Sequence, residues 1–359
     1  MEYDVVVIGG GVVGTFAALA ASRSGEFTAV IDGNGIMGGA ASRSAGVVTV
    51  QLDDERDVLL VRRSIELLTS VSRRALIRTG FLQIGREDLL EDSIRSMSSA
   101  GIAYEVLDAG EVRERWPGIE IGEEELAVYT SEDLSVEPGV LASECRSFLA
   151  SQGVTMYNEP VRSFRVHDSE VISAVLNGGV EVGGSEFILS AGPWNRSILR
   201  GLGVELDTKV IICYAYRFET GVELTIPSFS DEVLHSYWRR WGTELIGGGY
   251  HAELADEPDL MPRAPPQEFV EGSRALLMSR VSMAIPSYSG HTSGPCEITP
   301  DWRPYLGRLD RIRNFTLCGG LRGYGLMRGP ALGSMTYDLL KSGNIGADLD
   351  DYDPERLIR

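Results

Sequence analysis

The sequence predicts an α/β fold in two domains, and three observations predict it. The chain opens with an apolar strand (residues 4–8), a glycine turn (9–14) and a helix (12–24), the order of a Rossmann-like dinucleotide-binding domain. A similar strand–glycine–helix element closes it at 315–318, 319–325 and 326–340. Between them, short β-branched runs separated by turns predict a second domain built on an antiparallel sheet, of α+β type. The Rossmann-like domain is therefore expected to be discontinuous, from 1–80, 140–206 and 290–359, with 81–139 and 207–289 forming the second domain.

Each element has its own reason. Residues 4–8 (DVVVI) are a β-branched run ended by glycine, as in a buried parallel strand. Residues 12–24 are rich in alanine, a helix former, and 27–31 read as a second buried strand ending at Asp32. Residues 52–78 space Leu59, Leu60, Ile65, Leu67 and Leu68 at helical intervals among charges. A strand at 81–84 and a helix at 89–99 follow. Glu137-Pro138-Gly139 marks a turn or a helix start, 141–151 is helical, and Gly153 suits its stop. Strands are expected at 154–157, 161–166, 171–176 and 186–189, with Gly178-Gly179 as a hairpin turn. A second strand-rich tract covers 209–250, and 267–283 returns to helix.

Composition narrows the function. The 359 residues are 43% hydrophobic and 24% charged, ordinary for a globular chain with a large core. The formal charge of −19 disfavours nucleic-acid phosphates and anionic lipid, so an anionic substrate would need a locally basic pocket. Cys145, Cys213, Cys296 and Cys318 lie far apart, without a CxxC pair or a Cys/His cluster, which argues for no metal and for reduced thiols in a cytoplasm. The N-terminus lacks a basic signal region, and no run approaches the ~18 apolar residues of a membrane span.

The first chemical motif is Gly9-Gly10-Gly11-Val12-Val13-Gly14, a G-x-G-x-x-G that follows a strand and opens a helix. Gly9 permits the tight turn, Gly11 lets backbone approach a pyrophosphate, and Gly14 lets the helix pack on the strand. The helix start at Val12 and Val13 offers N–H groups and a positive dipole end to the phosphates. Asp32 ends the next strand, where a carboxylate accepts from ribose hydroxyls and disfavours a 2′-phosphate. These residues leave FAD and NAD both open.

Four further segments carry a resemblance. GAASRSAGVV stands at 39–48, SAGPWN at 190–195, TPDWRPYLG at 299–307 and GGLRGYGL at 319–326. In this order and spacing the chain resembles, over almost its whole length, the flavin-dependent amine and amino-acid oxidoreductases, the family of D-amino-acid oxidase, glycine oxidase, sarcosine oxidase and the flavin subunit of dye-linked proline dehydrogenase. The resemblance implies non-covalent FAD as the cofactor. It implies that Ala41, Ser42 and Arg43 lie along the pyrophosphate and flavin, and that Val161 meets the adenine through its backbone. Ala191 and Gly192 would pass close to the cofactor. Gly323, Tyr324, Gly325 and Leu326 would bring N–H groups to the flavin N1/O2 edge, where a helix start stabilises negative charge.

The resemblance also implies oxidation of a small amine or amino acid over the flavin, with oxygen or another electron acceptor. Arg322 is the first candidate to clamp a substrate carboxylate. Tyr237 and Arg239 share one strand face by period-two alternation and match a Tyr-x-Arg of relatives. His251 ends GGYH, similar to a GYH whose histidine touches substrate in sarcosine oxidase. Departures matter too. Cys296 stands where glycine oxidase has an arginine, Thr49 and Met327 where sarcosine oxidase has Arg and Lys, and Gly247 where its oxygen-promoting lysine aligns. Gly294 takes the place of the cysteine to which sarcosine oxidase attaches its flavin, and 38–50 hold no histidine. Two alternatives stay open: a 2-hydroxy-acid dehydrogenase with His251 as base, and the flavin subunit of a multi-subunit dye-linked dehydrogenase. Oligomerisation is compatible with either.

Overall fold

The computed structural model describes residues 2–259, 264–282, 286–343 and 347–359. Its first sheet is built around the parallel strands Glu2–Ile8, Thr28–Ile31, Thr155–Tyr157, Glu181–Leu189 and Ile312–Gly319. The long strand Glu181–Leu189 serves two neighbours beside Glu2–Ile8. Its first half pairs antiparallel with Glu170–Leu176, and its second half pairs parallel with Ile312–Gly319. Apolar side chains fill both faces, as a sheet covered on two sides requires.

Helix Val12–Arg23 leaves the first strand through the glycine turn and packs against the C-terminal helix Gly325–Ser342. Their contact is close enough that a Cβ on Gly333 would lie 2.2 Å from the Val13 carbonyl oxygen. The two glycine turns that open these helices are thereby brought to the same end of the sheet.

The second sheet has nine strands in the order Ala252–Ala255, Lys209–Glu219, Glu244–Gly249, Ser236–Trp241, Ser228–Asp231, Phe81–Gly85, Leu126–Thr130, Glu105–Leu107, with Ser287–Ile298 also paired to Lys209–Glu219. It is antiparallel except where Ser228–Asp231 runs parallel to Phe81–Gly85. Tyr216, Phe218, Phe229 and Trp238 fill the core on one face. Arg280 is buried there between Asp231 and Glu125, so its charge is answered twice. Ser287–Ile298 joins this sheet along its length, and the chain returns to the first sheet only after it.

Several local expectations change. The helix expected over 52–78 covers only Glu55–Val71, and Leu76–Arg78 is instead a strand paired with Leu134–Val136 in a third small sheet. The helix expected at 267–283 spans Gln267–Met278, and Met283 lies outside the described residues. Helix Ala109–Arg115, closed by a capping box of Asp108 and Glu111, has no counterpart in the sequence reading. No helix among the described residues is long and apolar enough to cross a membrane.

Candidate active site

A single cavity of about 900 Å³ runs between the two sheets from Asp32 to Tyr237. That is the upper range of small-molecule sites, about 300–1,000 Å³. At one end the glycine turn behaves as its motif demands. Gly9 sits at φ +101°, where a Cβ would lie 2.5 Å from the Ala191 nitrogen. A Cβ on Gly14 would lie 1.8 Å from the Gly9 carbonyl oxygen, so helix and strand touch backbone to backbone. A Cβ on Gly11 would meet no protein atom within 4 Å and would project into the cavity that this residue lines. The space beside Gly11 is thus kept for a ligand, and Val12 and Val13 line it at the helix start.

Asp32 lines the same end. It accepts from the N–H groups of Gly10 at 2.7 Å and Asn34 at 2.6 Å, which fix the carboxylate while burial pushes its pKa up. Val161 lies beside it with Pro160. Ala191 and Gly192 line the middle, and Gly192 takes φ +55° to start a 3-10 turn. Ala41 and Arg43 also line the cavity. The backbone of Arg43 is tied to the second sheet, since Thr292 donates to its carbonyl. Ser42 corrects the expectation for its side chain. It is exposed, its hydroxyl donates back to the carbonyls of Gly38 and Gly39, and it does not line the cavity. The cause is the 3-10 turn Ala40–Arg43, which directs a residue in its middle toward the preceding turn.

The second glycine turn closes the far side. Gly323, Tyr324, Gly325 and Leu326 line the cavity at the start of Gly325–Ser342, whose first N–H groups have no intrahelical acceptor. Arg322 holds φ +53°, unusual for a branched-out side chain. One Nη donates to the Trp302 carbonyl at 2.8 Å, and the guanidinium lies over the rings of Trp302 and Tyr324 at 4.8 and 5.6 Å. Its Nε is buried without a partner among the described residues, and burial lowers its pKa.

The second sheet supplies the wall. Tyr237 lines the cavity, and burial pushes its phenol pKa up. Arg239 shares the face, but does not reach the cavity. Its side chain is 1% exposed, donates to the Val136 carbonyl at 2.6 Å and pairs with Glu137 at 3.1 Å. Two residues along a strand are about 6.5 Å apart, which carries Arg239 past the cavity to the small third sheet. It is a structural residue under Gly46 and corrects the expectation of a substrate contact. His251 lines the cavity, stacked on Phe269 with ring centroids 4.5 Å apart, and its Nδ1 is buried without a partner among the described residues.

The sequence reading missed several lining residues: Gln51, Gln83, Ser230, Glu232, Tyr250 and Glu297. Their signal is a polar residue at alternate positions of an apolar strand, as in Phe81-Leu82-Gln83-Ile84. Glu297 is buried beneath the second glycine turn. It accepts from Tyr305 at 2.9 Å and from the Gly320 N–H at 2.9 Å, and Tyr305 in turn accepts from Asn195 at 2.7 Å. Burial pushes the Glu297 carboxyl up from 4.5 to about 7.

That shift has a sign. The folded state holds this proton more tightly than the unfolded chain, so its contribution to stability is full below about pH 4.5 and is lost as pH rises through about 7. Glu297→Gln cannot ionise. Relative to the parent it should gain up to about 3 kcal/mol between about pH 5 and 8, read by denaturant unfolding at both values. A difference between the two proteins that does not change with pH would refute it.

Known proteins share this arrangement. A family model described as FAD dependent oxidoreductase (DAO) matches residues 4–339. The chain is 24% identical to the monomeric sarcosine oxidase of Streptomyces avermitilis over 99% of this chain and 98% of that one. It is 25% identical to N-methyl-L-tryptophan oxidase of Escherichia coli over 98% of each. L-proline dehydrogenase from P. horikoshii superposes with a TM-score of 0.90 at 22% identity, over 99% of this chain and 97% of that one. Glycine oxidase from Geobacillus kaustophilus gives 0.84 at 20% identity over 98% of each. At these identities the structural likenesses speak for the fold.

Proposed function

The chain belongs to the DAO family of FAD dependent oxidoreductases, and from that premise we propose that it oxidises the carbon–nitrogen bond of a small amine or amino acid with FAD held non-covalently. The observation that carries the reading is the one continuous cavity. It joins a dinucleotide cradle, Gly11 and Asp32, to a pocket walled by Tyr237 and Arg322.

Bound FAD would supply the two-electron acceptor for a hydride from the substrate α-carbon. The residues do the rest. Asp32 would accept from ribose hydroxyls, the N–H groups of Val12 and Val13 would meet phosphate, and those of Gly323, Gly325 and Leu326 would meet the negative edge of the reduced ring system, the Tyr324 N–H being taken by the Leu321 carbonyl at 2.8 Å. Arg322, which lines the cavity, orients a substrate carboxylate, and Tyr237 forms the wall. The amine enters neutral, so no catalytic base is required. Its N–H proton passes to solvent as the imine forms, and water hydrolyses the imine. Non-covalent binding is supported by Gly294 and by Cys296, whose thiol beside Cys213 is pushed well up. Four free cysteines suit a cytoplasmic protein.

His251 supports a second reading. Its imidazole lines the cavity, where a base for a 2-hydroxy acid would stand. One experiment separates the readings. The yellow chromophore should be released by acid precipitation. Anaerobic bleaching of the flavin band near ~450 nm should then follow addition of glycine, sarcosine, proline or another amino acid. Bleaching by 2-hydroxy acids alone would transfer the function to the second reading, and a protein that takes up no FAD would end both. Admitting air afterwards distinguishes an oxidase from a dehydrogenase.

A further inference from the structure

We propose that the substrate pocket is built for an amine or amino acid carrying a second, distal positive charge, bound by Glu232 beside the stacked rings of Tyr237 and Tyr250. The inference rests on the amine-oxidising reading and deepens it. Its starting point is the strand Ser228–Asp231. Phe229 and Asp231 face the core of the second unit, one among aromatic rings and the other on Arg280. Ser230 faces the opposite way into the cavity, and Glu232 continues that alternation. Its own N–H still donates to the Ile84 carbonyl at 2.8 Å, so the backbone stays anchored to the parallel neighbour.

The carboxylate of Glu232 is fixed but not neutralised. Ser230 donates to it at 3.0 Å and the Gln83 amide at 3.2 Å, both neutral groups. Among the described residues no Arg, Lys or His forms an ion pair with it. Asp231 and Glu125 are matched by Arg280, Glu244 by Arg217 and Glu137 by Arg239, whereas Glu232, like Glu297, is held by neutral donors. Glu232 is half-buried in the cavity wall, where a ligand cation would complete a charge-assisted pair with it. Gln51 and Gln83 line the same wall.

The aromatic rings point to the same ligand. Tyr237 and Tyr250 stack with centroids 6.1 Å apart. Burial pushes the Tyr250 phenol up, and the charge of Glu232 adds to that shift. Tyrosine faces attract cations. Tyr324 is already taken by Arg322 at 5.6 Å and Arg328 at 4.7 Å, which repel a further cation there. The pocket therefore has a direction: carboxylate toward Arg322, distal cation toward Glu232, and the reacting carbon–nitrogen bond between. Glu232 does not serve the reacting nitrogen, because a carboxylate would hold that amine protonated and stop hydride loss.

Ornithine and norvaline test this, since ornithine carries a δ-ammonium where norvaline has a hydrogen. Each enantiomer is mixed anaerobically with the FAD-loaded protein, and the concentration that half-saturates flavin reduction is read. For the enantiomer that reacts, ornithine should half-saturate at least roughly tenfold lower than norvaline, the effect of one hydrogen bond to a charged group. Glu232→Gln should bring the ratio close to one, and Glu232→Asp, which keeps the charge, should retain part of it. The aspartate variant separates loss of recognition from loss of folding. A ratio near one in the parent, or an unchanged ratio in Glu232→Gln, overturns the inference. Flavin reduction by sarcosine, glycine or proline with none by ornithine overturns it while leaving amine oxidation standing. No reduction by any amine would remove the amine reading itself.

Discussion

Gly14→Ala is expected to yield a protein without bound FAD. The new methyl would lie 1.8 Å from the Gly9 carbonyl oxygen and 2.6 Å from the Ser190 hydroxyl, and the first of these is backbone that cannot rotate away. Helix Val12–Arg23 would have to move off the sheet, but its other side is already in backbone contact with Gly333 of the last helix. Overpacking of this kind costs about 1–3 kcal/mol. The larger loss falls on binding, because the helix start no longer aims its N–H groups at the pyrophosphate. A fall in FAD affinity of at least roughly a hundredfold, about 2.7 kcal/mol, is expected. Gly11→Ala provides the contrast. Its methyl meets no protein atom within 4 Å, so thermal stability of the flavin-free protein should match the parent while FAD uptake falls. The flavin-to-protein absorbance ratio and the apoprotein Tm of both variants check the pair. Full flavin content in Gly14→Ala would refute the packing argument.

The glycine turn was legible in the sequence because its requirements are local. Gly9 needs a positive φ and Gly14 needs no side chain, whatever the rest of the chain does. Strand Leu76–Arg78 was not legible, because what makes it a strand is Leu134–Val136, more than fifty residues away. Alternation along Ser236–Trp241 placed Tyr237 and Arg239 on one face correctly. It could not say that the cavity covers only the first of them, while Val136 and Glu137 cover the second. Ser42 failed for a reason of range: its position along the chain is right for the cavity, but the 3-10 turn points its hydroxyl elsewhere.

Glu232 shows the same limit from the other side. The polar alternation that exposes it, and that of Gln83, is written in each strand. That the two strands are parallel neighbours, with Ser230 beside Gln83, is a non-local fact. Residues with a backbone task were found from the sequence, and residues whose task depends on a neighbouring strand needed the structure.

Arg322→Met should lower kcat/KM for the best amino-acid substrate by roughly a hundredfold or more. Removing one partner of a desolvated charge pair costs about 2–5 kcal/mol, and a substrate carboxylate left facing Trp302 and Tyr324 has, among the described residues, no other arginine than Arg43 in the cavity lining. Methionine keeps an unbranched stem to cover Trp302, so the loss is one of charge more than of packing. The position imposes a complication, because Arg322 holds φ +53° next to Gly323, and a change there can disturb the turn that meets the flavin. Two readouts remove it. Flavin content and the visible spectrum report on the turn. An amine of similar size without a carboxylate reports on catalysis without the clamp, and it should react with parent and variant at rates within about threefold, since it never forms the pair. Arg322→Lys should fall between, keeping the charge while losing the planar fork that grips a carboxylate with two donors. Equal losses for both classes of substrate would assign Arg322 to the turn instead of the substrate. Undiminished oxidation of amino acids by Arg322→Met would leave the carboxylate without a holder on this side of the pocket, and with it the direction that places a distal cation on Glu232.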